Sequence, residues 1–150
     1  MLEKGNKAPD FTGRDQDGNT ISLKDFTGKK LILYFYPEDD TPGCTKEACN
    51  LRDNYNQLIS KGYAVIGVSA DDETSHKNFA NKFSLPFPLI ADTDRTIINA
   101  YEAWGEKNNY GTKYMGILRK TYVIDENGVI EDIIKKVDTE NHAGQILQEV

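Results

Sequence analysis

Cys44 and Cys49 are the only two thiols in the chain, and they fall in one short stretch. The run Tyr36-Pro37-Glu38-Asp39-Asp40-Thr41-Pro42-Gly43-Cys44 follows an apolar β-type segment, Leu31–Tyr36, and opens a segment with helical spacing. A strand-to-helix turn of this kind delivers a sulfur to a helix N-terminus. The backbone N–H groups there lack intrahelical partners, and the dipole favours an anion. A cysteine so placed is either a small buried hydrophobe or an activated thiolate. The Pro–Gly turn at the helix head favours the thiolate. Glu38, Asp39 and Asp40 oppose ionisation, although exposed charges would each cost at most about 1 kcal/mol. A cation must therefore face Cys44. Apart from Lys46 the local stretch offers none, so the partner is expected from elsewhere in the fold. On an ideal helix, residues five apart have Cα atoms roughly 8–9 Å apart and point about 140° away from each other. A disulfide needs Cα atoms closer than about 7 Å. Cys44 and Cys49 therefore either never pair, or pair only when the first helical turns unwind.

Other chemistries find little support. The histidines, His76 and His142, do not combine with the cysteines in zinc-ligand spacing, and each reads as a surface or capping residue. No glycine-rich phosphate loop is present. Trp104, Tyr101 and Tyr110 read as packing or loop-lining residues. A net charge of −6 and a pI near 4.9 argue against nucleic-acid and anionic-membrane partners, which need a basic face. No apolar run is long enough to span a bilayer, and Met1–Asn6 lacks a signal-peptide core, so a cytoplasmic protein is expected. In that compartment two cysteines are catalytic, redox-active or inert rather than a structural staple.

The elements that would hold Cys44 in place follow from periodicity. Residues 11–15 and 20–23 flank an Asp17-Gly18 turn, giving an N-terminal β-hairpin, and residues 24–30 read as a short helical turn or loop. Leu31–Tyr36 is apolar without alternation, as a strand buried on both faces would be. A helix runs from Thr41 or Pro42 to Ser60, with Cys44, Ala48, Leu51, Tyr55, Leu58 and Ile59 on one stripe and Thr41 in the capping position. Tyr63–Ser69 is a second buried strand. A helix from Asp71–Thr74 to Phe83, an extended piece over Phe87–Ala91 and an Asp94-capped helix over Arg95–Tyr101 come next. Gly105–Gly116 reads as a long polar loop. A β-hairpin follows, Leu118–Asp125 and Val129–Lys136 around Asn127-Gly128. An amphipathic helix over Asn141–Val150, with Ile146, Leu147 and Val150 facing inward, closes the chain. This layout predicts one domain over residues 1–150. It is an α/β, thioredoxin-like fold with a central mixed β-sheet flanked by helices and an added N-terminal hairpin.

Pro37-x-x-x-Thr41-x-x-Cys44 resembles the P-x-x-x-[TS]-x-x-C signature of the peroxiredoxins, and Cys49 five residues on matches the Q-type, or bacterioferritin comigratory protein, subgroup. The likeness extends through Gly67-Val68-Ser69, Leu85–Leu89, Trp104–Lys107 and Tyr114–Arg119, the last leading into Thr121–Asp125. The resemblance implies a thiol-dependent peroxidase acting on hydrogen peroxide and organic hydroperoxides. In it Cys44 would attack the O–O bond and become a sulfenic acid. Arg119 would supply the missing cation and hold the peroxide oxygens, and the Thr41 hydroxyl and the Gly43 and Cys44 N–H groups would bind substrate. Pro37 would shield the sulfur. Cys49 would be the resolving cysteine, forming an intrachain disulfide that thioredoxin or a glutaredoxin-like dithiol protein reduces. The resemblance implies no metal or organic cofactor, and a monomer or weak homodimer. Two rivals fit less well. A thiol–disulfide oxidoreductase would carry C-x-x-C, and a non-catalytic module of the same fold would need neither Thr41 nor Arg119.

Overall fold

Every position of Leu31–Tyr36 is apolar because both of its faces are covered. In the computed structural model, which describes residues 1–148, this segment is the central strand of a five-stranded mixed sheet. In chain order the elements are β1 (Thr12–Arg14), β2 (Thr20–Ser22), a 3₁₀ turn (Leu23–Phe26), β3 (Lys30–Phe35), α1 (Pro42–Asp53), α2 (Tyr55–Ser60), β4 (Tyr63–Ser69), α3 (Glu73–Phe83) and β5 (Leu89–Ala91). They continue with α4 (Thr96–Ala100), β6 (Trp104–Asn109), β7 (Thr112–Ile117), β8 (Lys120–Ile124), β9 (Ile130–Ile134) and α5 (His142–Gln148). The sheet order is β5-β4-β3-β8-β9. β3 runs parallel to β4 and antiparallel to β8. The parallel β3–β4 pair needs a crossover, and α1 with α2 provides it.

Alternation along β3 feeds two separate apolar clusters. Ile32, Tyr34 and Tyr36 pack with Cys44, Ala48 and Leu51 on one face, while Leu31, Leu33 and Phe35 pack with Ile66, Val68 and Ile98 on the other. Burying side chains of this size stabilises by about 1.5–3 kcal/mol each. Cys44 is thus tied to the best-packed strand of the protein. The N-terminal hairpin and the β8–β9 hairpin both form as their turn residues predict. Gly18 and Gly128 have positive φ, and the Asp15 and Asp125 carboxylates each accept two backbone N–H groups within their turns.

Several expectations change. The long helix is broken at Asn54, whose side-chain amide donates to the Asn50 carbonyl at 2.8 Å and competes with the helical ladder. Ile59 leaves the buried stripe and is half-exposed. Gly105–Gly116 is not a loop: it lies within a hairpin of two six-residue strands, Trp104–Asn109 and Thr112–Ile117. Tyr110 and Gly111 both have positive φ, as a two-residue primed turn requires. The hairpin's strands are largely exposed on both faces, so no apolar alternation marks them. Asp94 accepts the Thr96 N–H, but the stronger anchor of α4 is buried Asp92, whose carboxylate takes the Ile97 and Ile98 N–H groups at 3.1 and 2.7 Å. Ile146 is buried and Leu147 packs at the core edge, as expected. Val150 lies outside the described residues. No helix among the described residues is long and apolar enough to cross a membrane.

Candidate active site

Cys44 enters α1 at its third residue, directly beneath the end of β3, and is 1% exposed. Pro42, with its fixed φ and missing N–H, starts the helix without leaving an extra orphan donor. Thr41 occupies the capping position in extended conformation, but its hydroxyl does not cap. It donates to the Glu38 carbonyl at 3.0 Å. The N–H groups of Gly43 and Cys44 are therefore not taken by a capping side chain, and they remain donors beside the sulfur.

The cation arrives from 75 positions downstream. Arg119, in the two-residue link between β7 and β8, donates from Nη2 to Cys44 Sγ at 3.1 Å and from Nη1 to Glu47 Oε1 at 2.9 Å. Gly43 makes this approach possible. A Cβ there would stand 2.8 Å from Arg119 Nη2, inside van der Waals contact. Glu47 lies one helical turn after Cys44 on the same face and is fully buried. Burial pushes its carboxyl up to about 7, although the Arg119 charge and hydrogen bond pull the other way. Its second oxygen, Oε2, has no hydrogen-bond partner among the described residues and lies 3.6 Å from His142 Nε2.

The structure brings Cys44, Arg119, Gly43 and Thr41 into one neighbourhood. Half-buried Pro37 lines the adjoining cleft with Ala70, Trp104, Lys107 and Ile117. Cys49 stays apart. It is half-buried further along the same continuous helix, both thiols are free, and burial pushes the Cys49 thiol up. Joining the two sulfurs requires α1 to unwind over its first turns.

The acidic run before Cys44 is disposed so that its charge is spent elsewhere. Glu38 and Asp40 are exposed, and Asp40 pairs with Lys82 at 2.7 Å. The Asp39 side chain is 4% exposed and accepts from Tyr36 Oη at 2.6 Å, Ser75 Oγ at 2.7 Å and His76 Nδ1 at 2.7 Å. The Asp39 N–H in turn donates to Asp71 at 2.9 Å. These bonds clamp the loop between β3 and α1 onto α3.

The two histidines correct the sequence reading. Both are fully buried rather than on the surface. His76 bridges Asp39 and the Ile90 carbonyl, and His142 bridges Thr121 and Gln145. Glu47 was not singled out either, although its three-residue spacing from Cys44 places it on the buried stripe. Lys107 is the other addition. It lines a cleft with Arg119 and donates to the Ile117 carbonyl at 2.9 Å, and burial pushes its ammonium down. Tyr101 and Trp104 pack as expected, Trp104 under the Arg95 guanidinium at 4.1 Å, whereas Tyr110 is fully exposed.

Glu47 should leave a measurable mark on stability. Its carboxyl holds a proton in the folded protein up to about pH 7 and, once unfolded, only to about 4.5. The unfolded chain therefore binds fewer protons between these values, and Glu47's contribution is lost as pH rises through that window. Relative to wild type, Glu47→Gln should gain stability on going from pH 4.5 to 7, on the order of 2–3 kcal/mol. Urea unfolding of both proteins across that range checks it. A constant difference would show that Glu47 titrates alike in the folded and unfolded chain.

Residues 4–133 match the AhpC/TSA family. Peroxiredoxin Bcp of Bacillus subtilis is 41% identical over 147 residues, covering 98% of this chain and 94% of that one. Among solved structures, a cysteine-to-serine mutant of PrxQ from Xylella fastidiosa superposes with a TM-score of 0.92 at 29% identity, over 99% of this chain and 95% of that one. The bacterioferritin comigratory protein of Xanthomonas campestris, described for its alkyl peroxide reduction activity, gives 0.89 at 31% identity, over 97% and 96%.

Proposed function

This chain belongs to the AhpC/TSA family and is a peroxiredoxin of the Bcp/Q type, a thiol peroxidase; we propose that Cys44 is its peroxidatic residue and Cys49 its resolving residue. The observation that carries the assignment is the guanidinium of Arg119 set 3.1 Å from a buried sulfur at a helix head.

The Cys44 thiolate attacks one oxygen of the hydroperoxide, the O–O bond breaks, and the sulfur becomes a sulfenic acid. The departing alkoxide or hydroxide takes up a proton to leave as alcohol or water. Arg119 and the N–H groups of Gly43 and Cys44 stabilise the negative charge as it moves from sulfur to the leaving oxygen. Thr41 has lone pairs free to accept the peroxide O–H while its own hydroxyl donates to the Glu38 carbonyl. Pro37 limits water at the cleft. The first turns of α1 then unwind, the Cys49 thiol displaces the sulfenic hydroxyl as water, and an intrachain disulfide forms. A dithiol protein of the thioredoxin or glutaredoxin class restores both thiols by exchange. The protein acts in the cytoplasm as a monomer or weak homodimer, which sedimentation over a concentration series would test.

The experiment is peroxide consumption coupled to thioredoxin, its reductase and NADPH, with mass spectrometry of the peroxide-treated protein. A Cys44–Cys49 linkage should appear in wild type. Cys49→Ser should instead accumulate Cys44 sulfenic acid and lose roughly tenfold or more of its reductant-linked turnover. Peroxide-treated wild type without that linkage removes Cys49 from the resolving role.

A further inference from the structure

We propose that His142, on α5, is a positioning residue of the peroxide reaction: its ring nitrogen faces Glu47 beneath Arg119 without giving it a hydrogen, so Glu47 keeps a proton, and that proton sets how much of the guanidinium's charge is left for Cys44. The proposal rests on the assignment of Cys44 and Arg119 given above.

The hydrogen bonds around α5 determine the imidazole's tautomer. The Gln145 amide nitrogen donates to the Lys136 carbonyl at 2.9 Å, and its oxygen accepts the Asp138 N–H at 2.9 Å, so the amide orientation is set at both ends. That oxygen lies 2.8 Å from His142 Nδ1 and can only accept, so Nδ1 carries the hydrogen. Burial favours the neutral ring, and in that form Nε2 is the acceptor. It takes the Thr121 hydroxyl at 2.7 Å and looks towards Glu47 Oε2 at 3.6 Å. Thr121 pairs with Tyr34 across the β3–β8 ladder, so strand register holds it on the face that meets α1 and α5. Asn50 ties the two helices together, donating to the Glu140 carbonyl at 3.1 Å and accepting the Ala143 N–H at 2.8 Å.

Glu47 Oε2 is therefore a buried carboxyl oxygen without a hydrogen-bond partner among the described residues, and the His142 nitrogen 3.6 Å from it is an acceptor. An ionised carboxylate there would face a lone pair and lack a donor, which is costly away from water. A proton on Oε2 removes the conflict. Burial pushes in the same sense at both ends, raising Glu47 and lowering His142. The titratable and charged groups facing the pair are Cys44 from α1, Arg119 from the β7–β8 link, Tyr34 from β3 and Asp138 ahead of α5. With the proton present the pair is neutral, and Arg119 spends its charge on the sulfur. Once the proton leaves, the carboxylate 2.9 Å from Nη1 competes for the same guanidinium.

Two measurements test this. The first is the second-order rate constant of Cys44 with hydrogen peroxide, by stopped flow from pH 5 to 9. The ratio of wild type to Glu47→Gln should fall roughly three- to tenfold between pH 6 and 8.5, because only wild type acquires the competing anion. His142→Gln and His142→Phe should move the pH at which Glu47 takes effect, whereas a purely structural role would scale the rate equally at every pH. The second needs no change at His142. The ¹⁵N signal of its Nε2 should show a step near the Glu47 midpoint in wild type and lose that step in Glu47→Gln. Identical His142 titrations in the two proteins, or a flat rate ratio, overturn the proposal. A peroxidase that survives loss of Cys44 would instead overturn the assignment beneath it.

Discussion

Cys44→Ser is expected to leave no measurable reduction of hydrogen peroxide in the coupled assay. A serine hydroxyl at this site keeps the shape and the Arg119 contact, but it does not ionise near neutral pH and is a poor nucleophile towards an O–O bond. The substitution exchanges one buried atom of similar size, so the fold should survive and the loss should be chemical. Rates should fall to the uncatalysed background, with circular dichroism and urea midpoint close to wild type. Full turnover in this variant would mean that another group carries the reaction, and the assignment would be wrong.

Arg119→Ala should slow the reaction of Cys44 with peroxide by roughly 10²–10³-fold, the usual cost of removing one preorganised donor from developing charge. Two effects combine. The sulfur loses its one side-chain donor among the described residues, at 3.1 Å, and Glu47 loses the hydrogen bond that satisfies Oε1. The buried carboxyl is then left without its cation and should hold its proton to higher pH. Arg119→Lys should restore little, since a single ammonium cannot reach Sγ and Oε1 in the forked geometry of the guanidinium. Thiolate absorbance against pH, alongside stopped-flow rates, separates lost ionisation from lost stabilisation of the leaving oxygen. Unchanged rates and an unchanged thiolate profile would remove Arg119 from the site.

Cys49 ties these expectations to motion. The same α1 turns that present donors to Cys44 hold the second thiol too far away to react. The clamp through Asp39, His76 and Ser75 secures the loop ahead of the helix, so unwinding can proceed within α1 while the loop stays on α3. In the mechanism proposed above, α1 is ordered for one half-reaction and open for the other, which calls for an element from the less stable part of the fold.

What could be read without coordinates was local. The unalternating run at Leu31–Tyr36 announced a strand covered on both sides, and Pro42-Gly43-Cys44 announced a thiol at a helix head. The Asp-Gly and Asn-Gly turns marked two of the three hairpins. Each of these signals lies within a few residues of what it specifies. The third hairpin was missed because its strands are wet on both faces and carry no alternation. Arg119 came from family resemblance alone, since nothing local ties residue 119 to residue 44.

Periodicity tells whether a side chain points inward, not what it meets there. Glu47 sits on the buried stripe of α1 by spacing. Only the packing of α5 and the β3–β8 ladder decides that it meets Arg119 on one oxygen and His142 near the other. His76 and His142 looked like surface residues because an isolated histidine in a polar stretch carries no sign of burial. Tertiary structure supplied their partners and so paid the desolvation cost. The thiol at a helix head was legible from its own neighbourhood, while the guanidinium of Arg119 beside it and the ring of His142 near Glu47 come from segments distant in the chain.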